Sequence, residues 1–298
     1  MMQISEEQDG YKSLDFIGLG CTRSGTTWVL ENMMEHPEVC VPKQRELCYF
    51  GKNPMLGFIS NWDRSREWLE KAFSHCIPGQ KKGELNTLYL SDESSPALIQ
   101  ERAKDAKLIV IFRNPTDRLL SLYHMIDRIS GVGQNFEQFI EDRQDVVSEG
   151  FYSIHLSKFL EVFSIDQFHF ILFDDIRSAP KNVMRDLFEF LEIDKDFVPA
   201  KLAERINVGG RKSSRLMPII IGAIGGWLKS NALGRWVVRK LYDTGVYGIA
   251  RRASGRNDNN SYPSMSPQAK ARLNDLYRED IKCLSEILGR DLSHWSDN

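Results

Sequence analysis

Four short apolar runs stand out along the chain, at Phe16–Leu19, Thr87–Leu90, Leu108–Phe112 and Phe168–Phe173. Each is continuous rather than alternating, which is the pattern of strands buried on both faces. Helical patterns at Thr27–Glu35, Pro115–Asp127 and Lys181–Leu191 follow the first, third and fourth runs. Strand then helix, repeated, predicts an α/β fold with a central parallel sheet flanked by helices. Asn114-Pro115 marks a helix start, because Asn caps and Pro at the first helical position lacks only an amide hydrogen that would go unpaired. Residues 266–288 predict a further amphipathic helix, with Leu273, Leu276, Tyr277, Ile281 and Leu284 on one face. No internal repeat or low-complexity tract interrupts the pattern, and 1–298 is expected to form a single domain. Its parts are a core over about 14–215, a variable segment over about 216–262 and the helix at about 266–288.

The turn after the first run reads Gly20-Cys21-Thr22-Arg23-Ser24-Gly25-Thr26-Thr27-Trp28. A strand, a glycine turn and a helix N-terminus direct several N–H groups and the positive end of a helix dipole at one point, which predicts an anion site. The spacing of Gly20, Gly25 and Thr27 fits a nucleoside triphosphate loop, but Thr26 stands where such a loop needs Lys. The strand Leu108–Phe112 runs into Arg113 instead of a metal-holding Asp, so triphosphate hydrolysis is disfavoured. Arg113 and Ser121 lie eight residues apart, so that both can face one phosphate.

Three segments carry a family resemblance. Arg23-Ser24-Gly25-Thr26-Thr27-Trp28 resembles the 5′-phosphosulfate loop of sulfotransferases that use 3′-phosphoadenosine-5′-phosphosulfate (PAPS). Arg113-Asn114-Pro115, continuing to Ser121, is similar to their 3′-phosphate motif, and Gly209-Gly210-Arg211-Lys212-Ser213 to their basic closing loop. The resemblance implies the P-loop-like sulfotransferase fold. It also implies sulfuryl transfer from PAPS to a hydroxyl or amino group, with release of 3′-phosphoadenosine-5′-phosphate (PAP). Thr22, Arg23, Ser24, Gly25, Thr26, Thr27, Trp28, Arg113, Ser121, Arg211, Lys212 and Ser213 are then the expected cofactor contacts. Trp28 is open to two readings, an adenine stack or a core residue. Lys43-Gln44-Arg45-Glu46-Leu47-Cys48-Tyr49-Phe50 resembles the segment of glycan-type members that holds the proposed base. This makes Glu46 the expected base and Arg23 its catalytic partner at the leaving group; the competing reading of Glu46 is an ion pair with Lys43 or Arg45. His75, His124 and His155 are reserves. Ser94 lies where glycan-type enzymes often place a Lys, which points to a small-molecule acceptor. The rivals are a nucleotide or metabolite kinase with a degenerate phosphate loop, and a catalytically inactive nucleotide-binding module.

Composition narrows the setting. With 42% hydrophobic and 27% charged residues, the chain is neither disordered nor fibrous. The net charge of −2 gives no overall attraction to nucleic acid, so none is expected as a partner. Between Lys201 and Arg256, however, twelve Lys and Arg face two acids, a local anion-facing surface. Within it, residues 216–242 combine apolar faces with cations, and an acceptor wall, a homodimer contact and an interfacial surface all remain open. The longest apolar run, Leu216–Leu228, covers 13 residues, short of the ~18–20 that span a bilayer. The first 16 residues lack a secretory signal pattern. Five cysteines without CxxC or Cys/His ligand spacing indicate neither a disulfide nor a metal site, and reduced thiols in a cytoplasm are expected.

Overall fold

The computed structural model describes residues 14–52, 60–130, 135–203 and 265–296. Five parallel strands form one sheet in the order β2-β3-β1-β4-β5. They are β1 (Phe16–Gly20), β2 (Val39–Cys40), β3 (Lys81–Leu85), β4 (Lys107–Phe112) and β5 (Phe168–Leu172). Strand β1 lies between β3 and β4, with Phe16 opposite both Gly83 and Lys107, and β4 pairs with β5 from Leu108↔Phe168 to Phe112↔Leu172.

The sheet is covered on both faces because successive residues of its central strands are apolar on both faces. Along β4, Leu108, Val110 and Phe112 enter one core, while Ile109 and Ile111 enter the other. The first core is closed by α3 (Ser95–Ala103), α4 (Pro115–Ser130), α5 (Phe136–Asp142), α6 (Gln144–Ser148), α7 (Tyr152–Leu160) and α10 (Pro267–Leu288). The second is closed by α1 (Thr26–Met33), α8 (Phe173–Ser178) and α9 (Pro180–Phe190). A short helix, α2 (Arg66–Ala72), precedes β3.

The third strand differs from expectation. The run Thr87–Leu90 is buried, but it is a turn: Leu88 N donates to Asn86 Oδ1 at 3.0 Å, and Asp92 N reaches back to Leu88 O at 3.2 Å. The strand is Lys81–Leu85, whose sequence looks polar. Gly83 belongs there because a Cβ would lie 2.2 Å from Phe16 O on the neighbouring strand. Helix α10 also turns differently on its axis. Leu276 is exposed, while Asn274 and Asp280 are buried. Asp280 accepts from Ser153 N at 3.1 Å and Ser153 Oγ at 2.5 Å, capping α7, and Asn274 Oδ1 accepts from Thr116 Oγ1 at 2.8 Å. Partnered polar groups outrank an unpartnered Leu for the inner face.

A second correction concerns the cysteines. Cys40 at the end of β2 and Cys76 after α2 form a disulfide, with Cα atoms 5.7 Å apart, while Cys21, Cys48 and Cys283 are not disulfide-bonded. The partners are 36 residues apart, so no local spacing announces them. This removes reduced cysteines as the ground for a cytoplasmic setting. Among the described residues, no helix is long and apolar enough to cross a membrane.

Candidate active site

Because the chain leaves β1 for one side of the sheet and reaches β4 on the other, the carboxyl ends of β1 and β4 flank the point where strand order reverses. Open α/β sheets form their ligand crevice there. The loop after β1 is tied to its neighbour by Cys21 N donating to Ile111 O at 2.8 Å. Arg23 (φ 65°) and Gly25 (φ 95°) then turn through left-handed conformations, and α1 starts at Thr26. Gly25 suits its position twice over: its φ favours glycine, and a Cβ would meet Ile176 and Phe173 at 3.0 and 3.1 Å. Ser24 is fully buried and its Oγ lacks a hydrogen-bond partner. Burial pushes the Cys21 thiol far above its usual range, so this residue is a small hydrophobe in the loop and not a nucleophile.

The loops that carry Arg23 and Arg113 are tied together. Arg113 Nη1 donates to Arg23 O at 3.1 Å, and the Arg113 guanidinium lies 4.6 Å from the centre of the Phe173 ring. Tyr152 Oη fixes the Arg113 backbone from below, donating to its carbonyl at 2.9 Å. Among the described residues no carboxylate lies within ion-pair distance of Arg113. Burial pulls the guanidinium below its ordinary pKa, opposed first by Asp117. A largely desolvated cation that holds a neutral carbonyl and an aromatic face is a site for an external anion. Ser121 was expected beside Arg113; its Oγ instead accepts from Arg23 Nε at 3.1 Å, and Arg23 Nη1 reaches Met125 Sδ at 3.8 Å. Helix α4 therefore serves both turns, presenting Asn114 as the cap (Asn114 Oδ1 accepts from Thr116 N at 3.0 Å) and Ser121 two turns on.

Glu46 is half-buried on an irregular strap between β2 and α2, with φ 57°. Its Oε1 accepts from Thr87 Oγ1 at 3.3 Å, and Thr87 O accepts from Thr22 Oγ1 at 3.2 Å. Two hydrogen bonds thus join the carboxylate to the anion loop. Arg45, one of the two ion-pair partners that the competing reading gives Glu46, pairs with Glu31. Thr87 is the residue that sequence reasoning missed: it lay inside a run read as a strand, where its hydroxyl had no visible role.

Thr26 is buried and Thr27 half-buried in the first turn of α1. Trp28, open to two readings, is 8% exposed and packs in the second core. Arg211, Lys212, Ser213 and the segment 216–242 lie outside the described residues. Each reserve histidine has a neighbour of its own. His75 Nε2 lies 3.2 Å from Val41 O, His155 Nε2 lies 2.9 Å from Ser148 O, and the His124 ring is 5.6 Å from that of Tyr123.

Fold and loop geometry define a nucleotide-type anion site on a parallel sheet. The family model described as "Sulfotransferase domain" matches residues 14–208, and the chain belongs to that family. The human heparan sulfate glucosamine 3-O-sulfotransferase 5 is 26% identical over 187 residues, covering 59% of this chain and 52% of the relative. The chain spans about half the length of the curated relatives it first matches. A sulfotransferase from Alicyclobacillus acidocaldarius superposes with a TM-score of 0.67 at 20% identity, covering 95% of this chain and 98% of that one. A mouse sulfotransferase complexed with PAP gives 0.52 at 15% identity, covering 94% and 90%. Both share the fold.

Proposed function

We propose that the chain transfers a sulfuryl group from PAPS to a hydroxyl or amino group of a small-molecule acceptor, releasing PAP. The observation that carries this is the hydrogen bond from the Arg113 guanidinium to the Arg23 carbonyl, which ties the loops after β1 and β4 together at the carboxyl end of the sheet. A donor with phosphates at two positions of one nucleoside needs two anion cradles held in fixed relation. The residues present fit it. Arg113 has no carboxylate partner among the described residues, the α1 N-terminus opens into the turn, and the buried Ser24 Oγ is unpartnered. When bound, PAPS supplies an activated sulfuryl group whose S–O bond to phosphate breaks as sulfur bonds to the acceptor, the electron pair staying on phosphate. Glu46 accepts the proton of the acceptor. Arg23 and the amides of the turn stabilise charge at the leaving oxygen, and Arg113 reads the 3′-phosphate.

The direct test pairs binding with transfer. PAP should raise the melting temperature without divalent metal, since a ligand bound only to the native state adds about 2.7 kcal/mol at 100 times its Kd. Incubation with PAPS should add one SO₃ to an acceptor, read by mass. Equal or greater stabilisation by Mg-ATP would favour a kinase instead, and binding without transfer to any acceptor would leave a nucleotide-binding module.

Arg113→Ala separates the two cradles. A charge-assisted hydrogen bond is worth about 1.5–3 kcal/mol, so PAP affinity should fall more than about tenfold. Adenosine-5′-phosphosulfate, with no 3′-phosphate, should weaken less, through loss of the contact to Arg23 O. Calorimetry at fixed salt gives the ratio of the two affinities; an unchanged ratio would reduce Arg113 to a brace for the loop.

A further inference from the structure

Glu84, one residue before the end of β3, is 1% exposed, and the reaction steps above do not use it. Its Oε2 accepts from Leu47 N at 2.9 Å, and its Oε1 accepts from Tyr89 Oη at 2.7 Å. The same Tyr89 oxygen accepts from Tyr49 N at 2.9 Å and Phe50 N at 3.3 Å. Three buried amides of the strap, at 47, 49 and 50, therefore depend on one carboxylate and the phenol it orients. The strap needs such support. It has no strand or helix over 46–50, and Glu46 and Cys48 both adopt left-handed conformations (φ 57° and 51°). L-residues hold these only where their surroundings impose them.

We infer that Glu84 is a positioning residue for the transfer reaction, fixing the peptide that carries Glu46 by accepting the Leu47 N–H directly and the Tyr49 and Phe50 amides through Tyr89. This rests on the reading of Glu46 as the base. Two anchors then define where that carboxylate sits: Thr87 holds its oxygen from the front, and Glu84 holds its backbone from behind. Glu84 lies near the end of β3 and Thr87 in the turn that follows it, so one continuous stretch sets the height of the base above the anion loop.

A glutamine would satisfy only part of this arrangement. Its single carbonyl oxygen can serve Leu47 N or the Tyr89 hydroxyl, but not both, and its NH₂ faces the other donor. Charge distinguishes the two side chains further. Burial lifts the Glu84 carboxyl to about 7, against the opposing bonds from Tyr89 and Leu47 N, and the Glu46 charge adds to the rise. Tyr89 is acted on in turn by Cys48 from the strap. As pH rises through about 7, Glu84 ionises, strengthens its hold on the strap amides and places a negative neighbour beside Glu46. Turnover should therefore climb through that range.

The test compares E84Q with E46Q and the parent. E84Q should lower kcat about tenfold or more at pH 8, with PAP affinity within about threefold of the parent. The inflection near pH 7 should vanish from its pH–rate profile. A residue that served folding alone would lower the melting temperature and leave the shape of that profile unchanged. If E84Q does not fold, Tyr89→Phe takes its place: it keeps the Glu84–Leu47 bond, frees two amides, and should lower kcat while preserving PAP binding. Parental kcat in the folded E84Q, or in Tyr89→Phe as its substitute, with E46Q inactive, overturns the inference and leaves the base in place. Parental kcat in E46Q overturns the reading of the base itself.

Discussion

Replacing Glu46 by Gln should reduce turnover by about 10²–10⁴, the usual consequence of losing a general base, while PAP affinity stays near that of the parent. The substitution is clean here because of the surroundings of this carboxylate. Thr87 Oγ1 donates to it at 3.3 Å, and an amide oxygen can accept that bond as well as a carboxylate can. Size and the link to the anion loop survive, so the change falls on proton acceptance. Single-turnover assays at saturating PAPS would separate this from a binding defect. A mutant that keeps most of its activity would transfer the role to another group, with His124, three residues beyond Ser121 on α4, the first to examine.

The largest effect on stability is expected at Arg118. Its side chain is fully buried beneath the site. It donates to Glu149 Oε2 at 2.8 Å and Val146 O at 2.6 Å, and Glu149 is itself 4% exposed. Burial opposes the Arg118 charge most strongly, but Glu149, joined by Tyr152, Tyr277 and Cys21, holds the guanidinium above its ordinary pKa. Arg118→Ala leaves a buried carboxylate without its cation and should cost about 3–5 kcal/mol in denaturant unfolding. Combining it with an apolar replacement of Glu149 should recover part of that loss, because neither charge is then stranded. A single mutant within about 1 kcal/mol of the parent would show that the pair contributes little.

How far the sequence reveals this molecule depends on whether a residue's reason lies nearby. β1, β4 and β5 are continuous apolar runs because both of their faces are covered, and the helices after them follow from caps such as Asn114. β3 is hidden: Lys81 and Lys82 come first, and Gly83 and Glu84 answer to Phe16 and Leu47, which are distant in sequence. Thr87–Leu90 shows the converse, burial without a ladder. The two-residue β2 is too short to leave a pattern. Near the proposed site, the positions of Arg23 in the turn after β1 and of Arg113 directly after β4 were legible. Ser121 was legible as a position on α4 two turns beyond Asn114, but not in its bond to Arg23. Thr87 and Glu84 were illegible because a Thr and a Glu gain a role only when the fold brings the strap against them. The Cys40–Cys76 disulfide fails for the same reason.

The segment after residue 264 has a consequence for how these proteins can be recombined. Trp295 Nε1 donates to Asp174 Oδ2 at 2.8 Å, Trp295 O accepts from Asn114 Nδ2 at 2.9 Å, and Arg290 pairs with Asp175. Asp174 and Asp175 sit on α8, next to the Phe173 ring that underlies Arg113. The family match nevertheless stops at residue 208. The contacts around α8 and Asn114 therefore reach beyond the matched region. A chimera that swaps specificity by replacing everything after the matched region would discard part of the frame around Arg113. A chimera that retains residues 265–296 keeps the contacts of Trp295 and Arg290 with Asn114, Asp174 and Asp175.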